Sequence, residues 1–366
     1  DPDLDPRIIA TTGSLGIGSG PDSVAGAGTI SVNLIHNDTL ATVRRSIITE
    51  APSDLDLEDS KTAVIAGDNS AIVAISGAVG VAQGTALGAA VSYNEINNDL
   101  YAEFEDVNLT ANGSLTIGAS SEAYIGEAAV GVAASTGSGK FAGAGSLSIN
   151  KIISTIEAHI LKTDSGSSII LLGSDLYISA IDQSQIVSVS GGVAGSKGKA
   201  AGAAISYNLI QNEITAYIEG AEVLVGIPED GENCSINLTA ESNSSLISIA
   251  VGGAGAKDFA FGGSLTVTAI ANTLDAHIAE TQTVSADGDI MLTAAGSDSL
   301  LVVAGGVGAS TSDSAVGAAL AYNYIGGSFD PANPNLVDEN PNANDQIRAY
   351  INDASVEAGG DIILSA

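Results

Sequence analysis

Tryptophan is absent from this chain of 366 residues, methionine and cysteine occur once each, and aromatic residues amount to 4%. A single cysteine, Cys234, cannot form an internal disulfide. The apolar fraction is still 45%, and it is mostly Ala, Val, Ile and Leu. Side chains of that size suit thin, closely stacked sheets better than a thick globular core. Basic residues are scarce as well. Lys and Arg total 11 against 43 Asp and Glu, a formal net charge of −32. Such a field repels nucleic acid and anionic lipid, so neither is an expected partner. It keeps a long β protein soluble and disfavours edge-to-edge aggregation. The most apolar stretch, Ser76 to Tyr93, is interrupted by glycines and Gln83, and reads as strand-turn-strand rather than a membrane helix. The opening Asp1-Pro2-Asp3-Leu4-Asp5-Pro6 is acidic and has no basic region of a secretion signal. A 3.6-residue apolar period is missing, which leaves no segment reading as a helix.

What is present is a repeat. One segment recurs six times, as SVNLIHNDTLATV from Ser31, SYNEINNDLYAEF from Ser92, SINKIISTIEAHI from Ser148, SYNLIQNEITAYI from Ser206, TVTAIANTLDAHI from Thr266 and AYNYIGG from Ala321. Its anchor is Asn33, Asn94, Asn150, Asn208, Thr268 and Asn323, at intervals of 61, 56, 58, 60 and 55 residues. Two positions on stands Ile35, Ile96, Ile152, Ile210, Ile270 and Ile325; a third column holds Ala41, Ala102, Ala158, Ala216 and Ala276, with Ala349 after an insertion. A further polar column holds Asn37, Asn98, Ser154, Asn212 and Asn272.

A unit with one apolar face cannot bury it alone, so the copies must stack and share a core. The expected fold is all-β: one continuous, elongated parallel β-solenoid over residues 1–366, with equivalent residues in ladders about 4.8 Å apart. Stacked Asn side chains would bond to neighbours above and below and set the register. Close identity at the 58-residue spacing favours one wide rung per repeat. Three coils of roughly 19 residues each, or an antiparallel hairpin stack, are the alternatives. Segments at about 44–61, 226–233 and 326–345 read as projecting loops. The chain opens in the second strand of a unit and stops in the first, as expected for a segment of a longer array or a subunit that stacks head to tail.

Chemistry is sparse. The three histidines are His36, His159 and His277; His159 and His277 share a column with Thr42, Glu103, Tyr217 and Tyr350, and a position accepting those types reads as an outward strand position rather than a catalytic one. Cys234 has the parity of Ile236 and Leu238 and reads as a core residue. No GxSxG elbow, CxxC pair, HExxH or phosphate loop is present. The paired carboxylates are Asp54, Asp56, Glu58 and Asp59, a charged run, and Asp287 with Asp289, around a turn glycine. A polysaccharide-active β-helix, the enzymatic alternative, would be expected to line a groove with basic and aromatic residues, of which this chain has few. The expectation is therefore no enzyme, no cofactor and at most weak calcium binding by loop oxygens. Gly359-Gly360-Asp361 is only a fragment of a calcium-binding nonapeptide.

At Gly191-Gly192-Val193-Ala194-Gly195, Ala203-Ala204-Ile205-Ser206-Tyr207-Asn208 and Ala216-Tyr217-Ile218 the chain resembles the repeat regions of giant bacterial exoproteins, the filamentous-haemagglutinin-like and leukotoxin-type filamentous adhesins. The resemblance implies a secreted, surface-displayed solenoid acting as adhesin or stalk. Its expected partners are itself and cell-surface or matrix ligands. A self-assembling filament or sheath subunit is the alternative.

Overall fold

The computed structural model describes residues 7–50, 61–163, 166–226, 233–327 and 347–366. These residues form strands and connections with no helix. Every strand pair among them is parallel, and the strands build four sheets running along one stack. One repeat is one wide rung. In the second rung the chain runs through Lys61–Asp68, turns into Ala71–Ala82, folds back through Thr85–Glu105, turns again into Asn108–Ala111, and reaches Ser114–Ser121 directly above its start. We call these four positions the closing, facing, long and short sheets. Neither the three-coil winding nor the hairpin stack occurs. A long strand such as Thr85–Glu105 has 21 residues and spans about 69 Å, whereas six rungs rise only about 29 Å. Each rung is thus wider than a stack of six rungs is tall.

The register matches the sequence columns. Asn33 pairs with Asn94, Asn94 with Asn150, Asn150 with Asn208, Asn208 with Thr268 and Thr268 with Asn323; the isoleucines two positions on pair in the same succession. Residues 44–61 contain a strand, Ile47–Thr49, that belongs to the short sheet; that segment is therefore a projecting loop only in part. Residues 51–60, most of 226–233 and most of 326–345 lie outside the described residues, as do Asp54, Asp56, Glu58 and Asp59.

The cross-section has two compartments. The far half of the long sheet meets the short and closing sheets around a prism filled by side chains such as Phe104, Leu109, Leu115, Ile117 and Ile160. Its corner from long to short sheet needs a left-handed residue, and in five rungs one is present: Arg45, Asp106, Gly220, Glu280 and Asp353, with φ between 48° and 68°. Gly220 adopts it without steric cost; the others hold it against strain. The near half of the long sheet lies against the facing sheet in a slab so thin that backbones touch. A β-carbon on Gly192 would sit 2.1 Å from the Ala203 carbonyl oxygen, and one on Gly202 would sit 2.0 Å from that of Gly253. Ordinary sheets pack about 10 Å apart because side chains fill the gap; here Gly and Ala leave almost none. Ala82, Ala86, Ala142 and Ala200 line the tip, and Ile72, Ile96, Ile125 and Ile152 close the slab where it joins the prism.

Between those apolar bands runs a polar core. Asn33 Nδ2 donates to Asn94 Oδ1 at 2.7 Å, Asn94 to Asn150 at 2.7 Å and Asn150 to Asn208 at 2.8 Å. The second amide hydrogen of each goes to the serine two residues earlier: Ser31, Ser92, Ser148 or Ser206. Both donors are satisfied within the protein, which is what permits burial of the amides. Thr268 interrupts the ladder, and Asn208 turns to Ser248 Oγ at 3.0 Å. The second polar column behaves differently from expectation. Asn37 and Asn98 both donate to the buried Asp68, Asn212 to Ser184, and Asn272 to Ser242 and Ser244. These amides donate across the interior to the corner between closing and facing sheets, while between rungs the Asn212 backbone N–H donates to Asn272 Oδ1 at 2.9 Å.

Candidate functional site: the outer face of the long sheet

The long strands alternate inward and outward positions, and the outward set is unusual. Of the nine tyrosines and five phenylalanines in the chain, ten stand on this face: Tyr93, Tyr101, Phe141, Tyr207, Tyr217, Phe259, Phe261, Tyr322, Tyr324 and Tyr350. Over the slab the face is apolar, with Leu209, Ala269 and Ala271 packed among Tyr207, Val267, Tyr322 and Tyr324. At its inner edge Tyr93 donates to Glu95, and the Lys151 ammonium lies 5.6 Å from the Tyr93 ring centre and 4.0 Å from the Glu95 carboxylate. The hydrogen bond to Glu95, with burial, pushes the Tyr93 hydroxyl up to about 12, so it remains a donor.

Over the prism the face becomes a polar ladder. His159, Tyr217, His277 and Tyr350 lie in one column on successive rungs. Their rings stack nearly parallel at 4.7, 5.0 and 4.8 Å, the rung spacing itself. The outward orientation expected from sequence is correct, yet His159 is only 4% exposed, because stacking shields it. The adjacent column supplies carboxylates. Glu157 accepts from the Tyr217 hydroxyl at 2.7 Å and lies 2.9 Å from His159 Nδ1. Burial opposes its ionisation, but these two partners hold the carboxyl below its ordinary range. Desolvation and the Glu157 charge push the Tyr217 hydroxyl far up. Asp275 lies 2.7 Å from His277 Nδ1 and pairs with Arg348. Arg44 pairs with Glu103 and, at 2.8 Å, with Glu105. Glu213, Thr215, Asp275, His277, Arg348 and Tyr350 are among the residues lining a shallow groove of about 210 Å³ here. The surface brings aromatic area, hydrogen-bond donors and carboxylates together on one face.

The other sequence candidates fall elsewhere. His36 is exposed beside Asp38 at 3.6 Å. Cys234 is buried in the prism, its thiol 3.4 Å from the Gly173 carbonyl oxygen. Asp289 accepts the Asp361 backbone N–H at 2.7 Å, and Asp175 does the same for Ser235 at 2.7 Å, so these carboxylates tie one rung's turn to the next. Among the described residues no three His, Cys, Asp or Glu side chains converge as metal ligands would. The ring stack was missed in the sequence. Its signal was the alternation of His and Tyr in one column, which was read only as tolerance.

No family model, curated protein or solved structure matches the chain. The resemblance to filamentous exoprotein repeats rests on the repeat residues alone.

Proposed function

We propose that this chain is a non-catalytic, extracellular structural and adhesive module, a segment of surface-displayed β-solenoid whose long sheet contacts cell-surface or matrix ligands. One observation carries the reading: outward tyrosines return on alternate in-register rungs of the long sheet, as Tyr93 and Tyr101, Tyr207 and Tyr217, then Tyr322, Tyr324 and Tyr350, with carboxylates such as Glu95, Glu157 and Asp275 beside them. Repetition gives an extended ligand many equivalent weak contacts, whose combined strength exceeds any single one. Tyrosine suits such contacts because it brings large area and a hydroxyl at little entropic cost. Close stacking and the bonded amide ladder supply the stiffness a stalk or adhesin needs.

The test is binding of the purified chain to immobilised matrix proteins and glycans by biolayer interferometry. Tyr101→Ser with Tyr207→Ser should weaken saturable binding at least tenfold while leaving far-ultraviolet circular dichroism unchanged. Absence of binding, together with turnover of an anionic polysaccharide, would replace this reading with the enzymatic one. Fibres in electron micrographs that lengthen with protein concentration would favour the head-to-tail filament.

A further inference from the structure

The facing sheet presents a second surface, different in kind. Its inner face is covered by the long sheet, and nothing among the described residues covers its outer face. Outward positions include Val73, Ile75, Val189, Val193, Ile249 and Val303, and Val193 is 51% exposed. Every strand of this sheet places six residues outward, and among them Arg7 is the one charged residue. No carboxylate stands there, in a chain with 43 of them. The closing sheet, one corner away in each rung, has a mixed outer face instead, with Ser114, Thr116, Asn237 and Thr239 among Ile65, Ile181 and Met291. The outer face of the long sheet over the slab is apolar too, but it carries Glu95, Lys151 and Lys199, whereas the facing sheet carries no carboxylate or lysine.

We propose that a second copy of the chain covers this face, related by a two-fold axis running along the stack. Four observations select that occupant. Strands buried on both faces read as near-continuous apolar runs rather than as alternation, and facing strands such as Ala71–Ala82, AIVAISGAVGVA, read that way. Six strands about 4.8 Å apart, with outward positions about 6.7 Å apart along each strand, give an area on the order of 900 Å², close to the ~800 Å² that each partner contributes to a stable interface. A face free of carboxylates lets two strongly acidic bodies approach with their charges directed elsewhere, and a face whose outward basic and aromatic residues are Arg7 and Tyr124 alone, both in its edge column, lacks the belt of anchors that holds protein to lipid headgroups.

The fourth observation fixes the axis. Two adjacent outward columns are complementary to each other. In successive rungs they read Gly13 and Leu15, Gly77 and Val79, Gly191 and Val193, Val251 and Gly253, Gly305 and Val307. One member is glycine and the other is bulky in each of these rungs; the third rung, Val130 and Val132, is the exception. A two-fold axis between the columns places each against the other across the interface, so in five of the six rungs the knob meets the gap of its own rung in the partner, and in the third Val130 meets Val132. This isologous pairing keeps equivalent rungs opposite one another along the stack.

Sedimentation velocity from about 1 to 100 µM tests it. The expected species is a dimer of the 36.1 kDa chain. Gly191→Val fills a gap and should weaken the dimer at least tenfold. A β-carbon at Gly191 meets only Val130 methyl groups at 3.7 Å, so the melting temperature of the monomer should not fall. The double variant Gly191→Val/Val193→Gly exchanges knob and gap and should restore pairing, an outcome that only self-complementarity produces. A wild type monomeric at the highest concentration would overturn the proposal. So would a dimer indifferent to Val193→Lys, or a monomer that cosediments with phosphatidylcholine vesicles through this face. None of these readouts depends on the adhesive reading.

Discussion

The slab and the prism are built by the same strands, yet they invert each other. In the prism the interior is Ile, Leu, Val, Ala and Phe, and the long sheet's exterior over it is hydroxyl, carboxylate and stacked ring. In the slab the interior is Gly, Ala, Ser and Asn, and both exteriors are apolar. A long strand such as Phe141–Leu161 crosses from one regime to the other without a break. The difference teaches what holds each part. The prism is stabilised by burial of large side chains, at about 25 cal/mol per Å² removed from water. The slab has little apolar area inside, so it depends on backbone pairing, close contact across glycines and satisfied amides. Such a core tolerates almost no change in volume or in hydrogen bonding, and its apolar exteriors still require a cover.

The largest expected effect lies in the prism. Phe104 is fully buried, and Phe104→Ala should cost about 3–5 kcal/mol by urea denaturation, since the stacked backbone cannot collapse into the space. Asn150→Leu probes the slab at similar side-chain size. It strands one Asn94 amide hydrogen and the Asn208 carbonyl oxygen, and should cost about 1–3 kcal/mol. Equal losses for Asn150→Leu and an outward substitution such as Lys151→Leu would show that the ladder adds nothing.

Glu127 sharpens the contrast through pH. It occupies a slab column whose other members include Ala74, Ser188 and Ser248. It accepts from Ser148 and, at 3.0 Å, from Ser188. Burial pushes its carboxyl up to about 7 from an ordinary 4.5, against the pull of the Ser148, Ser188 and Asn150 hydrogen bonds. The folded state therefore binds a proton more tightly than the unfolded one, and stability falls as pH rises between those two values. The gap is equivalent to about 3 kcal/mol. Glu127→Gln should be nearly neutral at pH 4 and more stable than the parent by up to about 3 kcal/mol at pH 8. A variant that gains nothing on the alkaline side would mean the carboxylate is solvated.

Much of this fold was legible because the rungs stack in register. When one repeat is one rung, columns in a self-alignment are ladders in space, and Asn33 through Asn323 and Ile35 through Ile325 are such columns. Strand parity likewise placed Cys234 inside. What parity could not give was distance across the interior. It therefore paired Asn98 with its column neighbours when the nearer oxygen belongs to Asp68. It also equated outward with solvent-exposed, and so missed the shielding of His159 by Tyr217. The slab's inversion was hidden for the same reason: alternation tells two faces apart, but not which of them is the thinner.

The smallest expected effects separate the two faces of one strand. Gly192 and Gly195 are three residues apart in Gln185–Ser196 and face opposite ways. Ordinarily, glycine in a strand interior is less stable than alanine by roughly 0.5–1 kcal/mol, because the unfolded chain is freer. At Gly195 an added β-carbon meets nothing within 4 Å, so Gly195→Ala should show that ordinary gain. At Gly192 the same atom would sit 2.1 Å from a backbone oxygen of the opposing sheet. Backbone cannot rotate aside as a side chain can, so the sheets must part, at a cost of about 1–3 kcal/mol typical of overpacking. Gly192→Ala should therefore lose stability where Gly195→Ala gains it, in matched chemical denaturation curves. If both substitutions stabilise, the two backbones are not in contact, and the slab is an ordinary sandwich whose interior can accept methyl groups.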